Sequence, residues 1–236
     1  MTTTPLLVIV PALNEESTVG EVVSAALAAL DCDVVVIDDG STDETAAEAL
    51  RAGASVIRHP FNVGVGGAVR TGLRYAHRTE RSTVLQLDAD GQHEAPEGKR
   101  LVDALEHCDL AVGSRFETGY DVGRIRGFMM RRLSRVVSRR LGSPIGDTTS
   151  GFRAFNRRSI DVLHETYPST YLSDTVEALL LASDAGLTVH AVPVRMHQRQ
   201  GGQPSSGGFR SALYLLRLWL VILMHPIRPT GKPTRK

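Results

Sequence analysis

Short apolar runs alternate with helix-forming segments throughout the first half of the sequence. The runs are short enough for buried strands and lie at Leu6–Val10, Val34–Ile37, Ala54–Ile57, Val84–Leu87 and Leu110–Val112. The segments between them are rich in apolar residues at helical spacing and lie at Glu16–Leu30, Thr42–Ala52, Gly66–His77 and Pro96–His107. Parallel strands need crossover connections of this length, which are usually helices. The alternation therefore predicts an α/β fold, in which helices flank a mostly parallel central sheet.

The second half is less regular, and no linker divides the chain into separate folding units. We predict a basic helix at Phe128–Leu141, a strand at Gly151–Phe155, a helix at Asp174–Ala185 and a strand at Leu187–Met196. The expected organisation is a main domain over residues 1–208, an amphipathic helix over 209–225 and a basic, disordered tail over 226–236. We expect no secretory signal and no membrane-spanning helix, because no run of about 18 uncharged apolar residues occurs. Cys32 and Cys108 are expected to be small buried residues in a reducing compartment.

The formal net charge of +1 conceals a strong asymmetry between the two halves. Residues 1–121 hold 9 basic and 20 acidic side chains, whereas residues 122–236 hold 18 basic and 6 acidic ones. Segregated cations point to a polyanionic partner. Only 5% of residues are aromatic, and no arginine cluster is interleaved with rings on which bases could stack. We therefore expect a membrane or phosphate partner and no nucleic acid.

Polar and acidic residues follow three of the predicted strands. They are Pro11-Ala12-Leu13-Asn14-Glu15, Asp38-Asp39-Gly40-Ser41 and Asp88-Ala89-Asp90-Gly91-Gln92-His93. In an open parallel sheet, ligands bind beyond the carboxyl ends of the strands. One Asp there is often a helix cap, but carboxylates gathered on one edge repel each other unless a cation or hydrogen-bond donors offset their charge. Asp88 and Asp90 have a spacing that suits one Mg²⁺ or Mn²⁺ ion bound together with substrate phosphates.

Other phosphate-binding and catalytic motifs are absent from the sequence. It contains no Walker A motif and no nucleophile elbow, and the histidines lack a zinc-binding spacing. The Gly64-Val65-Gly66-Gly67 segment does not follow the first strand and lacks the third glycine of the dinucleotide motif. For His93, a contact to the metal is one interpretation, and a surface or capping role is the favoured one.

The strand-end segments, taken with three later ones, resemble family 2 glycosyltransferases of the GT-A fold. The later segments are Asn62-Val63-Gly64, Gly113-Ser114-Arg115 and Thr149-Ser150-Gly151-Phe152-Arg153-Ala154. The set, with the loop that begins at Arg199, is most similar to the dolichol-phosphate mannose synthase branch. Members of that branch transfer a sugar from a nucleotide diphosphate to a polyprenyl phosphate. The resemblance covers about residues 6–215.

The resemblance implies a role for each matching position. It assigns the nucleotide sugar to Pro11, Ala12, Asn14, Glu15, Asp38, Asp39, Asp88, Ala89, Asp90 and Arg199, which places donor binding mainly in residues 1–121. It assigns the metal to Asp88 and Asp90, with Gln92 as a further ligand. It assigns the acceptor phosphate, in residues 122–208 and the strand before them, to Arg115, Arg131 and Ser134. Asp90, Arg115 and Arg131 are the expected catalytic residues.

The sequence also departs from that family at three points. Val65 stands where many relatives have a lysine, which puts a phosphate contact at that position in doubt. Ser205-Ser206 replaces a common Ser-Lys pair, and the transmembrane helices of longer relatives are missing.

The basic half suits a phospholipid acceptor. Between Val122 and Gly146 lie seven arginines and no acid, which form either a solvated helix face or a set of phosphate-binding forks. In Phe209–Met224, apolar residues recur at helical spacing beside Trp219 and two arginines, as at a membrane interface. The alternative for this helix is packing on the sheet or in a homodimer.

These observations predict a metal-dependent, inverting hexosyltransferase that uses a donor of the GDP-mannose or UDP-glucose type. Its acceptor is predicted to be a polyprenyl phosphate at the inner face of the cell membrane, where the protein would be cytoplasmic and peripheral. Two alternatives stay open. A soluble family 2 enzyme with a sugar-hydroxyl acceptor would need a carboxylate base, for which Asp174 and Glu177 are candidates. A non-catalytic subunit would bind nucleotide and recruit a membrane-protein partner.

Overall fold

The computed structural model of the protein describes residues 6–115, 124–148, 150–169 and 174–195. In this part of the chain, seven strands form one sheet. The strands are β1 (Leu6–Ala12), β2 (Asp33–Asp38), β3 (Ser55–Arg58), β4 (Thr83–Gln86), β5 (Leu110–Arg115), β6 (Arg153–Asn156) and β7 (Val189–Val194). The helices are α1 (Val19–Ala29), α2 (Thr45–Arg51), α3 (Val65–Arg78), α4 (Gly98–Ala104), α5 (Arg124–Leu141), α6 (Arg157–Thr166) and α7 (Asp174–Asp184), and a 3₁₀ turn at Ala95–Glu97 precedes α4.

The sheet has the strand order β3-β2-β1-β4-β6-β5-β7. All neighbouring strands are parallel except at β6, which runs antiparallel to both β4 and β5. The predicted α/β fold with a mostly parallel sheet is therefore confirmed. The reversed β6 is an addition to that prediction, because the apolar pattern of a strand does not encode its direction.

Strand β1 is buried on both faces, which explains its uninterrupted apolar sequence. Leu7 and Ile9 pack into one core cluster with residues of α3, α6 and α7. Val8 and Val10 pack into a second cluster, on the other face, with residues of α1. Successive side chains of a strand point to opposite faces, so helices cover both sides of the sheet.

Helix α6 is absent from the sequence prediction. Its first turn is capped by Asn156, whose side-chain oxygen accepts a hydrogen bond from Ser159 N at 3.0 Å. Only two large apolar residues of the helix, Ile160 and Leu163, are buried. The hydrophobic repeat is therefore too sparse to predict the helix, whereas the capping asparagine is a usable signal.

The structure also bears on the predicted helix starts, the two cysteines and the membrane-spanning helices. Helices α1 and α2 each begin three residues later than predicted, because the residues before them bind one another across two loops. Cys32 and Cys108 are free and buried, as expected. No described helix is both long and apolar enough to cross a membrane. The predicted amphipathic helix, the tail and Arg199 lie outside the described residues.

The first turn of α3 packs tightly against the segment before α7 through Gly66. A Cβ atom at Gly66 would lie 2.2 Å from the carbonyl oxygen of Pro168. We expect Gly66→Ala to lower the free energy of unfolding by about 1–3 kcal/mol, since a backbone atom cannot rotate away. The matched control is Gly20→Ala in α1, where the nearest atom would be 3.9 Å away. That change should stabilise the protein by up to about 1 kcal/mol. Urea unfolding tests both, and equal effects would contradict the packing described.

Candidate active site

The carboxyl ends of β1, β2 and β4 bring the three polar segments to one edge of the sheet. Ala12 lies opposite Asp38 in the β1–β2 pairing. The β1–β4 pairing continues past β4, because Leu87 N donates to Ile9 O at 3.1 Å. The residues that follow these three strands therefore leave the sheet side by side.

The loops after β1 and β2 are bound to each other through side chains. Asn14 N donates to Ser41 Oγ at 3.0 Å, and Thr42 N donates to Asn14 Oδ1 at 2.9 Å. Glu15 N donates to Thr45 Oγ1 at 2.8 Å. Asn14 has a φ of 54°, a left-handed conformation that asparagine tolerates better than most residues. These hydrogen bonds fix the two loops against each other at the sheet edge. We call the surface made by Asn14, Ser41 and Thr42 the floor of the site.

Asp38 and Asp39 are both buried but serve different neighbours. Asp38 Oδ1 accepts from Ser41 N at 2.8 Å, and its Oδ2 lies 3.1 Å from Arg58 Nε. Asp39 Oδ1 accepts from Val63 N, and Asp39 Oδ2 accepts from Gly64 N, at 2.9 and 2.8 Å. Asp39 therefore connects the loop after β2 to the start of α3.

Asp39 also has a histidine neighbour. His59 Nδ1 lies 2.8 Å from Asp39 Oδ1, and His59 Nε2 lies 2.9 Å from Thr71 Oγ1 of α3. The charge of Asp39 is thus balanced by two backbone N–H groups and an imidazole inside the protein. These contacts hold the Asn62-Val63-Gly64 segment against the sheet edge.

The segment after β4 presents two carboxylates in different settings. Asp88 has a side chain that is 32% exposed, whereas Asp90 is buried and its Oδ1 accepts from Gln92 N at 3.1 Å. Gly91 makes the turn between Asp90 and Gln92 with a φ of 73°, which suits glycine. The turn therefore fixes the backbone between Asp90 and Gln92.

The donor set at this turn fits a hard divalent cation. In the described part of the chain, no three His, Cys, Asp or Glu side chains gather closely enough to hold a metal ion alone. Two carboxylates with further oxygens from water or a diphosphate are the set that Mg²⁺ accepts. The Asp88 carboxylate occupies space that a side chain at position 151 would take, because a Cβ atom at Gly151 would lie 2.5 Å from Asp88 Oδ1. Asp88 and Asp90 would hold such a cation.

A buried arginine lies beside the carboxyl end of β4, where Arg153 pairs with Gln86. Arg153, at the start of β6, has no exposed surface. Its Nε donates to Ser150 O at 2.9 Å, and its Nη2 donates to Thr175 O at 3.0 Å. Its charge also acts on Asp174, the first residue of α7. Arg153 therefore joins the segment before β6 to the first turn of α7.

Comparison with known proteins decides the family. The family model described as glycosyl transferase family 2 matches residues 7–163. The chain belongs to this family. This glycosyltransferase is 30% identical over 232 residues to the polyprenol monophosphomannose synthase of Mycolicibacterium smegmatis, with 90% of this chain and 86% of that protein covered. It is 28% identical over 224 residues to the undecaprenyl-phosphate mannosyltransferase of Micrococcus luteus, with 86% and 88% covered.

The solved structures show the fold of this glycosyltransferase. Glucosyl-3-phosphoglycerate synthase from Mycobacterium tuberculosis, in complex with Mn²⁺, UDP-glucose and phosphoglyceric acid, superposes with a TM-score of 0.68. The identity is 24%, and the match covers 92% of this chain and 78% of that one. The likeness confirms the predicted GT-A fold.

The structure describes every residue predicted to bind the donor of the glycosyltransferase except Arg199. Of the three residues predicted to bind the acceptor phosphate, it describes the side chain of Ser134. Pro11, Ala12, Asn14 and Glu15 lie in or directly after β1, and Ala89 lies buried between the two carboxylates. Their roles, like those of Asp38, Asp39, Asp88, Asp90 and Gln92, stay predictions. On the acceptor side, Arg115 ends β5 and Arg131 belongs to α5. Their side chains lie outside the described part.

Ser134, predicted to bind the acceptor phosphate, has a hydrogen bond of its own. Its hydroxyl donates to the carbonyl oxygen of Ile145. A serine hydroxyl carries one proton, so binding phosphate as a donor would require this bond to be exchanged. On the same helix, Arg132, Arg135 and Arg139 are exposed. The exposed face of α5 therefore presents cations to solvent.

Sequence reasoning missed the roles of His93 and Arg153. His93 was expected at the surface or in a cap, yet its side chain is only 2% exposed. It stacks on Phe152, with ring centroids 4.7 Å apart. Only the fold reveals that Phe152 pairs with a histidine 59 positions earlier in the chain.

Burial raises the pKa of Asp174 to about 6, against the effect of the Arg153 charge and with a smaller addition from Asp88. Since the folded pKa lies above the ordinary value of 3.8, the native state binds this proton more tightly. The stabilisation is therefore complete below pH 4 and is lost as the pH rises through 6.

We expect Asp174→Asn to remove this pH dependence. The unfolding free energy of the wild type, minus that of the variant, should fall by about 2 kcal/mol between pH 4 and pH 7. Urea unfolding at several pH values measures the difference. A difference that stays flat or rises would contradict the assigned direction. Glu165→Gln, an exposed acid on α6, serves as the control.

Proposed function

We propose that this glycosyltransferase moves a hexose from a nucleotide diphosphate sugar to a polyprenyl phosphate, with inversion and with a divalent cation. The observation that carries the proposal is the pair Asp88 and Asp90 at the carboxyl edge of β4, beside the interlocked loops after β1 and β2. The polyprenol and undecaprenyl-phosphate activities in the names of its relatives support the acceptor. The donor is of the GDP-mannose or UDP-glucose type.

The donor half of the site positions the nucleotide sugar. The floor made by Asn14, Ser41 and Thr42 is held before a ligand arrives, so little ordering is needed on binding. Mg²⁺ or Mn²⁺ bound there would supply charge neutralisation for the departing diphosphate. Asp88 and Asp90 orient the diphosphate end of the donor. Their negative charge would repel a diphosphate that arrives without a divalent cation. Arg199, outside the described residues, would close over the diphosphate.

The acceptor needs no general base. A lipid phosphate is already an oxyanion near neutral pH, since its second pKa is about 6. One of its oxygens forms the new bond to the anomeric carbon, while the bond from that carbon to the diphosphate oxygen breaks and the leaving oxygen takes the electron pair. Arg115 and Arg131 hold the acceptor phosphate in line, so the catalytic contribution is positioning and charge balance.

The exposed arginines of α5 support peripheral binding to an anionic membrane at the inner face of the cell membrane. Each basic side chain near such a surface adds about 1 kcal/mol. We expect the full chain to cosediment with vesicles of anionic lipid at low salt and to be released as the salt concentration rises.

The test of this function is transfer of a radiolabelled sugar to lipid. The full chain is incubated with Mn²⁺, labelled GDP-mannose or UDP-glucose, and undecaprenyl or dolichyl phosphate. We expect label to enter the butanol phase, and EDTA should abolish it. Label that appears only in a water-soluble glycoside would overturn the lipid assignment.

One observation favours a second function, transfer to a sugar hydroxyl. Such an acceptor must lose a proton, and Asp174 is a buried carboxylate whose pKa of about 6 suits a general base. Under this alternative Asp174→Asn would abolish transfer to a soluble acceptor. Under the lipid-phosphate function it would leave a large part of the transfer rate, because no base takes part.

A further inference from the structure

His59 lies between the end of the sheet and helix α3. Its backbone N–H donates to Asp38 O at 2.8 Å, which continues the β2–β3 pairing beyond Arg58. Its ring nitrogens contact two different elements: Nδ1 lies 2.8 Å from Asp39 Oδ1, and Nε2 lies 2.9 Å from Thr71 Oγ1 of α3. The side chain is 13% exposed. We call Asp39, His59 and Thr71 the His59 clamp.

The partners of the ring determine where its hydrogens lie. A carboxylate can only accept, so Nδ1 carries a hydrogen and donates it to Asp39. Thr71 Oγ1 also lies 3.1 Å from Gly67 O, and a hydroxyl has one hydrogen and can accept as well. Thr71 therefore donates to Nε2 of a neutral ring, or accepts from Nε2 of a charged ring while it donates to Gly67 O. The bond from His59 to Asp39 is present in both charge states.

The segment 60–64 joins His59 to α3 and depends on polar contacts for its position. Val63 N and Gly64 N both donate to Asp39, the residue that the imidazole holds. Apolar burial contributes little, because the side chains point largely into solvent: Phe61 is 67% exposed and Val63 is 38% exposed. The imidazole therefore ties Asp39, and through it this segment, to α3.

The same segment borders the floor of the site. A Cβ atom at Gly40 would lie 2.9 Å from the carbonyl carbon of Phe61, so the two backbones pack directly on each other. Gly40 is followed by Ser41, whose hydroxyl accepts from Asn14 N within the floor. The position of the segment 60–64 therefore bears directly on the loop that forms the floor.

We propose that His59 is a positioning residue for the nucleotide sugar, whose ring holds the segment 60–64 and the floor in the arrangement that binds the donor. This inference rests on the proposed function, in which the floor receives the donor. His59 touches neither donor nor cation in this role and acts through Asp39. Because hydrogen bonds to a charged group are stronger than neutral ones, losing this contact should weaken donor binding about 10-fold.

Three substitutions separate the contacts of the clamp. His59→Asn places an amide N–H near the position of Nδ1, so it keeps the bond to Asp39 and loses the one to Thr71. Thr71→Val loses the same bond from the other side. His59→Gln places its amide near the position of Nε2, so it loses the bond to Asp39. His107→Gln, at an exposed position, is the control.

The experiment uses the full chain and two kinds of readout. Hydrogen exchange, followed by mass spectrometry of peptides that cover residues 60–66, reports whether Val63 N–H and Gly64 N–H stay protected. Steady-state sugar transfer gives kcat and the KM for the donor, and calorimetry with Mn²⁺ and UDP or GDP gives the nucleotide affinity.

We expect His59→Gln to speed exchange in this segment about 10-fold or more and to raise KM about 10-fold, with kcat within about a factor of two. His59→Asn and Thr71→Val should have equal and smaller effects on exchange and KM, about 3-fold, because each loses only the contact between His59 and Thr71.

Three results would overturn the inference. If the segment exchanges equally slowly in the wild type and in His59→Gln, the clamp does not hold it. If exchange is faster while KM and nucleotide affinity are unchanged, His59 has only a structural role. If the wild type binds neither UDP nor GDP and transfers no sugar, the proposed function fails and the positioning role fails with it, whereas the exchange results would still show the clamp.

The milder variants decide if His59→Gln does not fold. His59→Asn and Thr71→Val should then still raise exchange and KM together. A wild-type KM in both, with faster exchange, would contradict the positioning role.

Discussion

Asp90→Ala is expected to lower the rate of sugar transfer by about 10³-fold or more while the protein stays folded. The cation held by Asp88 and Asp90 would contribute several kcal/mol to the stabilisation of the leaving diphosphate, and each 1.4 kcal/mol corresponds to a factor of about ten. Asp90 is a buried acid at the site edge, and its Oδ1 accepts a hydrogen bond from Gln92 N. The loss of a cation ligand should lower the transfer rate more than the loss of this turn contact lowers stability.

The transfer assay with labelled donor measures the rate, and circular dichroism confirms the fold. Asp103→Ala is the matched control, because Asp103 is an exposed acid of α4 that pairs with Lys99; its rate should stay within a factor of two or so. A variant at Asp90 that kept a tenth of the wild-type rate, or a wild type indifferent to EDTA, would remove Asp90 from the catalytic residues.

Arg153→Met is expected to cost about 3–5 kcal/mol of stability, a large part of the 5–15 kcal/mol typical of a domain. The guanidinium has no exposed surface and donates to Ser150 O, Thr175 O and, at 3.4 Å, Tyr167 Oη. Removing it leaves these acceptors unsatisfied and the Asp174 charge uncompensated.

Urea unfolding at pH 7 measures the loss, and Arg157→Met is the control. Arg157 is 39% exposed and pairs with Asp161, so its loss should cost less than about 1 kcal/mol. Should Arg153→Met fail to fold, the double variant Arg153→Met with Asp174→Asn decides. It should recover part of the loss, since the uncompensated carboxylate is gone, and no recovery would contradict the charge coupling.

The first half of the fold could be predicted from the sequence because its signals are local. The apolar runs of β1, β2 and β4 are buried on both faces, and the polar residues that follow each run mark the strand ends. Asp88 and Asp90 are separated by one residue in the sequence, so their proximity needs no tertiary knowledge. Family resemblance then supplies the predicted roles, which spacing alone cannot assign.

The parts that sequence reasoning missed depend on contacts between distant segments. An isolated arginine is normally exposed, and nothing local shows that Arg153 lies in the core with its hydrogen-bond donors directed to Ser150, Tyr167 and Thr175. His93 has the same difficulty, because Phe152 is far from it in the chain. The starts of α1 and α2 were misplaced for a related reason: Glu16 N donates to Asp43 Oδ2 at 3.2 Å, which takes both residues out of their helices.

In the described sheet, strand β6 runs against both of its neighbours. This direction has a consequence for altering the acceptor specificity of the enzyme. Strand β5 runs toward the catalytic edge, and the antiparallel β6 starts from that edge. The connection between β5 and β6 therefore starts and ends at the same rim of the sheet. It includes α5 and its arginines, whereas the loops proposed to bind the donor follow other strands. We expect that exchanging this connection for the corresponding segment of a relative would change the acceptor and leave the proposed donor loops in place.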